Sequence, residues 1–247
     1  MVDRRLLKLN FKTFTSAIAN LALPRICVVC GQGLMPEERH ICLECLADLP
    51  LTRFSAMSHN PMADLYNARI EADFYQYATA LFYYSATSPY RKITQALKYH
   101  RDFGAGRMFA RMLGEELRAS GLFDDVDLVV PVPLHWTRRL GRGYNQAEII
   151  AREVASALDS RMDSRALRRI RRTASQVRLT GEDRAANLAG AFRATGSPAL
   201  TGAHHVLIID DVFTTGATLA TCYDALRQQF PYEKRISIAT LGFVQNG

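Results

Sequence analysis

The stretch 206-VLIIDDVFTTGATL-219 decides the fold, because it joins a hydrophobic run to two adjacent carboxylates and then to a loop of small and hydroxyl residues. Residues 206–209 predict a buried strand, and residues from about 217 to 230 predict a helix. A near-continuous apolar run is typical of strands in a parallel sheet that helices cover on both faces. The stretch therefore indicates an α/β fold.

The remaining periodic segments alternate between strand and helix patterns. Strands are predicted at 74–85, 127–135 and 236–244, and helices at 90–99, 104–120 and 143–158. This alternation favours one parallel sheet flanked by helices. The predicted domains are an amino-terminal helix with a cysteine module (1–50), a polar linker (51–62) and the α/β domain (63–247).

The paired acids and the loop of the opening stretch predict a ligand site. In parallel sheets, ligands bind beyond the carboxyl ends of the strands, and free N–H groups at a helix N-terminus attract an anion. The loop residues are Thr214, Thr215, Gly216, Ala217 and Thr218. Asp210 and Asp211 suit vicinal hydroxyls as acceptors, with or without Mg²⁺, so the site fits a ribose 5-phosphate. The alternative is that the acids cap the strand and the loop is a turn, but buried strands seldom end in unbalanced paired carboxylates.

Four of the five cysteines form two C-x-x-C pairs, 27-CVVC-30 and 42-CLEC-45. In a cytosolic chain, two such pairs this close are typical of a tetrahedral zinc site rather than of disulfides. The surrounding segment is too short to bury its own core, so the metal would supply its folding energy. The predicted ligands of this structural zinc ion are Cys27, Cys30, Cys42 and Cys45.

Composition narrows the functional classes. The 247 residues are 48% hydrophobic and 22% charged, which suits a globular core. No apolar run approaches the roughly 18–20 residues of a membrane span, and residues 1–23 form a poor secretory signal. We therefore expect a cytoplasmic protein. The net charge of +7 leaves phosphorylated small molecules, single-stranded nucleic acid and a solvated basic face as open interpretations.

Several motifs carry a resemblance to known families. The opening stretch resembles the phosphoribosyl pyrophosphate (PRPP) signature of type I phosphoribosyltransferases, and it contains no Walker A pattern. Between about residues 27 and 242, the chain is similar to the ComF family of competence-associated proteins, whose motifs occur in the same order. These motifs are 27-CVVCG-31, 42-CLEC-45, 97-LKYH-100, 130-VPVPLH-135, 138-RRLGRGYNQAE-148 and 184-RAANLAGAF-192.

The resemblance implies roles for particular residues. A phosphoribosyltransferase-like domain would use Asp210 and Asp211 as the catalytic pair that holds the ribose hydroxyls, and residues 214–218 as the 5-phosphate loop. The segment 131-PVPL-134, and in it Pro133 and Leu134, matches the loop that approaches the pyrophosphate.

Two further roles have an ordinary alternative. Lys98 is either a cation that neutralises pyrophosphate charge or a surface lysine. The segment 168–176 is either a mobile loop that closes over the site or a solvated basic face.

The implied reaction is displacement of pyrophosphate from ribose C1 by a nitrogen nucleophile, with Mg²⁺ and cationic groups bearing the leaving charge. Thr214 stands where enzymes that salvage 6-oxopurines have an aspartate, so hypoxanthine or guanine salvage is disfavoured. The acceptor is therefore unassigned. Cys27 belongs to a metal pattern, which disfavours a glutamine amidotransferase.

A second hypothesis is a non-catalytic binding or regulatory protein of DNA uptake, because the ComF resemblance implies natural transformation and fold does not settle chemistry. Such a protein would contact single-stranded DNA or a competence helicase, either free in the cytoplasm or peripheral at the inner face of the membrane. The two functions could also coexist, with DNA contact through the zinc module. Arginines between 138 and 184, with Tyr83, Tyr84 and Tyr99, could provide cationic and stacking contacts to single strands. Burial preferences favour a core position for the three tyrosines.

Overall fold

The computed structural model describes most of the chain. The described residues are 25–85, 87–134, 143–171, 190–229 and 234–244. The predicted helix at 1–23 lies outside them, as do residues 172–176 of the predicted mobile loop and the arginines at 138, 139, 142 and 184. Two units divide between Leu49 and Pro50, whereas the assignment of 1–50, 51–62 and 63–247 as domains stays a prediction.

A five-stranded parallel sheet lies at the centre of the second unit, in the strand order β1-β7-β6-β2-β3. Its strands are β1 (Ala78–Tyr84), β2 (Leu128–Pro131), β3 (Arg161–Met162), β6 (His205–Phe213) and β7 (Arg235–Val244). All neighbouring strands pair in parallel, and β7 is buried along nearly its whole length. Two short strands, β4 (Leu167–Arg169) and β5 (Phe192–Ala194), form a separate antiparallel ribbon.

Helices cover both faces of the sheet. The helices of the second unit are α2 (Pro61–Asn67), α3 (Arg91–Gln95), α4 (Phe103–Ser120), α5 (Gln146–Leu158), α6 (Pro198–Thr201) and α7 (Ala217–Arg227), with a π-helical turn at Ala96–His100. The first unit contains one short helix among its described residues, α1 (Leu43–Ala47). On one face, α4 and α5 approach closely at Gly114, where a Cβ atom would lie 2.6 Å from the Cβ of Ala157. On the other, Tyr66 of α2 meets Tyr223 of α7 edge to face at 6.1 Å. The predicted α/β class, with helices flanking a parallel sheet and cysteines clustered near the amino terminus, is confirmed.

Strand β6 is longer than predicted. The prediction that it ends at Ile209 is wrong, because β7 continues alongside and pairs Asp210 with Thr240 and Phe213 with Phe243. Both acids therefore lie within a strand, and successive strand residues project to opposite faces of the sheet. Val206 and Ile208 share a buried cluster with α2 and α7 residues, so Asp210 points to that side and Asp211 to the side of α4 and α5.

The segment predicted as a linker contributes buried side chains to the second unit. Phe54 is 2% exposed and Met62 is fully buried. Asn60 caps α2 by accepting from the backbone N–H of Ala63, and its amide donates to the carbonyl of Ala78 at 2.9 Å. Short polar residues bind backbone groups here, which explains why a segment of polar character still packs against β1.

Within the described ranges, none of the helices combines the length and apolar character that crossing a membrane requires.

Candidate functional sites

A lysine pairs with one of the two adjacent carboxylates near the carboxyl-terminal end of the sheet. The Nζ atom of Lys98 lies 2.5 Å from Oδ2 of Asp211, and the two side chains are 24% and 7% exposed. Lys98 belongs to the π-helical turn before α4, and π-helical turns occur often at functional sites. The sequence predicted both residues for one site, and the structure brings them together, although their roles stay predictions.

The electrostatic environment of Asp210 differs from that of its neighbour. Burial and the adjacent charge of Asp211 raise the pKa of Asp210, and these effects exceed the opposing ones of the Asp211 N–H group and Lys98. That N–H group donates to Oδ1 of Asp210 at 2.8 Å. The resulting pKa is about 8, which favours the protonated form of Asp210 at neutral pH. The acid pair then carries one negative charge, which Lys98 balances.

The predicted 5-phosphate loop connects β6 to α7. Gly216 is the N-cap residue of α7 with φ +77°, and within the described ranges no side chain caps this helix. The first N–H groups of a helix have no acceptor inside it, so they remain available for an anion at this end of α7. A Cβ atom on Gly216 would lie 2.7 Å from the ring of Phe213, which is why glycine is needed here. Thr214 is exposed, and Thr215 and Thr218 are half-buried.

The loop that follows β2 lies beside β6. The N–H group of Val132 donates to the carbonyl of Ile209 at 2.8 Å, directly before Asp210. Pro133 and Leu134, the predicted pyrophosphate-binding residues, are half-buried in this loop. The loop therefore reaches the same edge of the sheet as the carboxylates.

Sequence reasoning missed two residues that hold these elements. Tyr144 donates from Oη to the carbonyl of Leu97 at 2.5 Å, and Asn145 donates from Nδ2 to the carbonyl of Val132 at 3.0 Å. Both lie in 138-RRLGRGYNQAE-148, a motif that carried the family resemblance without a role for either residue. A buried asparagine at a helix N-cap was the available signal, but its partner across the fold is not local in sequence.

Arg69 is another residue that sequence reasoning did not identify. A Cβ atom added to Gly216 would lie 3.5 Å from Cδ of Arg69, so the Arg69 side chain is next to Gly216. Together with Ala217 and Thr221 of α7, and with Asp224 further along, Arg69 lines a cavity of about 290 Å³. An exposed guanidinium therefore lies beside the loop that leads into α7.

The four paired cysteines lie together in the first unit. Their sulfur atoms are all within 4.8 Å of one another and could hold a metal ion such as zinc. The sulfur atoms of Cys30 and Cys42 are 3.8 Å apart, which matches the edge of about 3.8 Å expected for a tetrahedron with Zn–S distances near 2.3 Å. Although burial raises it, the backbone N–H groups of Cys30, Cys42 and Val29 lower the pKa of Cys27 to about 6. The predicted ligand set is thus assembled for a metal ion.

A serine–histidine–aspartate series at the start of β6 does not form a second site. Nδ1 of His205 lies 2.6 Å from Oδ1 of Asp125, and Nε2 of His205 lies 2.7 Å from Oγ of Ser237. His205 is 1% exposed and Ser237 is fully buried, so a substrate cannot reach the hydroxyl. These contacts fix the beginnings of β6 and β7 instead.

Known proteins resemble the chain in sequence. DNA utilization protein YhgH of Escherichia coli K12 is 31% identical over 199 residues, which cover 79% of this chain and 81% of that protein. The chain belongs to the ComF family. Competence protein F of Haemophilus influenzae is 32% identical over 143 residues, or 57% of this chain and 62% of that relative.

Among other ComF relatives, DNA utilization protein YhgH of Salmonella typhimurium is 36% identical over 138 residues, which cover 54% of this chain and 59% of that protein. The matched region thus spans about three fifths of the length of the Haemophilus and Salmonella relatives. No family model matches the chain.

Proposed function

We propose that the chain binds PRPP at the carboxyl-terminal edge of its sheet and serves a process of DNA uptake or utilization. The observation that carries the proposal is that β6 leads from the acid pair, where Lys98 binds Asp211, directly into the start of α7 after Gly216. The names of the ComF relatives, competence protein F and DNA utilization protein, support the process.

Each part of PRPP has a chemical counterpart at this edge. The loop 214–218 and Arg69 offer N–H groups and a cation to the 5-phosphate. Asp210 and Asp211 accept from the ribose hydroxyls. Lys98 and the loop after β2 face the pyrophosphate, with Mg²⁺ as the additional cation.

If the bound ligand reacts, a nitrogen nucleophile attacks ribose C1 while the C1–O bond to pyrophosphate breaks. Catalysis would then come chiefly from cations that stabilise the departing pyrophosphate. A regulatory protein would use the same contacts without an acceptor. PRPP is therefore the proposed ligand, and its acceptor is unassigned.

Calorimetric titration with PRPP and Mg²⁺ tests the binding site. We expect saturable binding by the wild-type chain and its loss in an Asp210→Asn/Asp211→Asn variant. Asp159→Asn is the matched control, because Asp159 is exposed at the end of α5 and has φ +55°, a conformation that asparagine tolerates. The control should bind like wild type, whereas absence of binding by folded wild-type protein would refute the proposed ligand.

We also propose that the cysteine cluster binds zinc in a structural role. All four coordination positions of a tetrahedral ion would be occupied by Cys27, Cys30, Cys42 and Cys45, which leaves none for a substrate. The metal would thereby stabilise the short segment around it.

A second candidate function is contact with single-stranded DNA through the β4–β5 ribbon. Arg168 and Arg193 are exposed and lie directly opposite each other in the antiparallel pair. Like charges at such positions destabilise a ribbon, so an anion between them would remove the repulsion. Ile170, which is 52% exposed, lies beside them and helps to line a cavity of about 390 Å³. Residues 25–49 contain two arginines but three glutamates and one aspartate. The ribbon is therefore the better candidate than residues 25–49 for contact with DNA.

Fluorescence anisotropy with a labelled oligothymidine tests the DNA hypothesis across a series of salt concentrations. We expect an Arg168→Gln/Arg193→Gln variant to bind more weakly, with a salt slope reduced by about 1.4 if two phosphate contacts are lost at about 0.7 each. Arg152→Gln/Arg161→Gln, which changes two exposed arginines outside the ribbon, is the charge-matched control. Equal weakening by the control would assign the effect to net charge and contradict a specific role for the ribbon.

A further inference from the structure

The π-helical turn that carries Lys98 is held at Leu97, which α4 contacts through its side chain and Tyr144 contacts through its backbone carbonyl. Leu97 is fully buried, and its side chain lies against α4 so closely that a Cβ atom on Gly106 would be 2.6 Å from Leu97 Cδ1. The backbone carbonyl of Leu97 accepts from Oη of Tyr144. A π-helical segment is short and rare, so we expect this turn to depend on contacts from outside it. Because Lys98 directly follows Leu97, the contacts of Leu97 also determine where the ammonium group of Lys98 lies.

The next residue, Asn145, holds a different element of the same site. Its side chain is buried and makes two contacts: Oδ1 accepts from the N–H of Ala147, and Nδ2 donates to the carbonyl of Val132. The N–H of Val132 in turn donates to Ile209. One side chain therefore begins α5 and secures the loop after β2 against the strand that bears the acids.

We propose that Tyr144 and Asn145 form one positioning unit for the pyrophosphate half of the site. The two consecutive residues tie the Lys98 turn and the loop of Pro133 and Leu134 to the start of α5. Among the described residues, their side chains hydrogen-bond to Leu97, Val132 and Ala147 and not to the loop 214–218. The inference rests on the proposed PRPP site and adds that the pyrophosphate and the 5-phosphate are held by separately supported elements.

Tyr144→Phe isolates the hydroxyl contact. The ring of Tyr144 packs edge to face on Phe103 at 4.8 Å, and phenylalanine keeps that packing. Loss of one hydrogen bond, worth about 0.5–1.5 kcal/mol, corresponds to roughly a two- to twelvefold loss in PRPP affinity. Because ribose 5-phosphate has no pyrophosphate, its affinity should stay unchanged.

Calorimetric titrations of wild type, Tyr144→Phe, Lys98→Met and the double variant with PRPP and with ribose 5-phosphate test the inference. If Tyr144 acts through Lys98, Tyr144→Phe should cost little more in the Lys98→Met background, since the two changes share one interaction. Asn145→Ser retains a helix-capping side chain but is too short to reach Val132, and it should also lower the affinity for PRPP selectively. Tyr75→Phe removes a hydroxyl that donates to Asp64 at 2.6 Å before β1 and is the matched control.

The outcomes separate this inference from the proposed function. Equal weakening of both ligands by Tyr144→Phe, or full additivity with Lys98→Met, would overturn the positioning role while leaving the PRPP site intact. Binding of neither ligand by the wild-type chain would overturn both. Unchanged PRPP affinity in both Tyr144→Phe and Asn145→Ser would likewise exclude the positioning unit.

Discussion

Gly216→Ala is the substitution whose cost follows most directly from the structure. Gly216 has φ +77°, and an added Cβ atom would lie 2.7 Å and 2.9 Å from two ring carbons of Phe213. That ring cannot move aside easily, because Phe213 is 1% exposed and stacks at a tilt on Phe243 at 5.7 Å. The substitution therefore combines backbone strain with an overlap in the core.

The two costs can be added for an estimate. Placing a non-glycine residue in the left-handed region costs about 1–2 kcal/mol, and overpacking a buried site costs about 1–3 kcal/mol. The sum of about 2–5 kcal/mol should lower Tm by on the order of 10 °C in a chain of this size. Thermal unfolding followed by circular dichroism, with zinc kept constant, measures the change.

Gly202→Ala provides the control for Gly216→Ala. Gly202 has φ −83° at the end of α6, and its nearest contact for an added Cβ atom is the carbonyl of Pro198 at 3.5 Å. Alanine at a compatible glycine position stabilises by about 0.4–1 kcal/mol through the unfolded state. If Gly216→Ala melted within a degree of wild type, or if both variants fell equally, the reasoning about the loop would be refuted.

Two further predictions concern the metal cluster and Asp210. Cys30→Ser should abolish binding of one zinc ion, as measured by mass spectrometry, and expose residues 25–49 to proteolysis, whereas Cys222→Ser, outside the cluster, should retain the metal. The folded-state pKa of Asp210 is raised from 3.8 to about 8, so its contribution to stability is fully present below pH 3.8 and is lost as the pH rises through 8. Denaturant unfolding between about pH 5 and 9 should therefore show a flatter stability profile in Asp210→Asn than in wild type; identical profiles would contradict the raised pKa.

The elements that the sequence predicted correctly depend on local patterns. Apolar runs revealed β1, β2, β6 and β7, and the cysteine spacing predicted the cluster that the structure assembles. The carboxyl end of β6 could not be predicted from its own residues, because β7 provides the backbone partners that extend it. Tyr99 shows the same limit: burial preferences place tyrosines in the core, but this one is 67% exposed on a turn whose direction is set by Tyr144.

Pairings between distant residues were beyond sequence reasoning. The motif containing Lys98 identified it as a candidate, yet its ion pair with Asp211 joins residues more than a hundred positions apart. The register that places Arg168 opposite Arg193 likewise depends on how two separate strands align. Such contacts decide the charge of a site, and they arise only when the sheet is assembled.

The charges at the proposed PRPP site predict how a divalent cation should act. With Asp210 protonated, Asp211 and Lys98 form a neutral pair. If Lys98 moves to the pyrophosphate, Asp211 is left nearly buried without its cation. Breaking a buried pair costs about 3–5 kcal/mol, and here roughly 2–3 kcal/mol is a fairer figure because the Lys98 side chain is 24% exposed.

Mg²⁺ would offset that cost by supplying positive charge to the pyrophosphate. We therefore expect removal of Mg²⁺ by chelation to weaken PRPP binding by about a hundredfold, the equivalent of roughly 2.7 kcal/mol. Ribose 5-phosphate, which does not draw Lys98 away from Asp211, should bind equally well with and without the ion. Titration of both ligands in Mg²⁺ and in EDTA measures the difference. Equal PRPP affinities under the two conditions would mean that Lys98 stays on Asp211 and that the pyrophosphate is held by other groups.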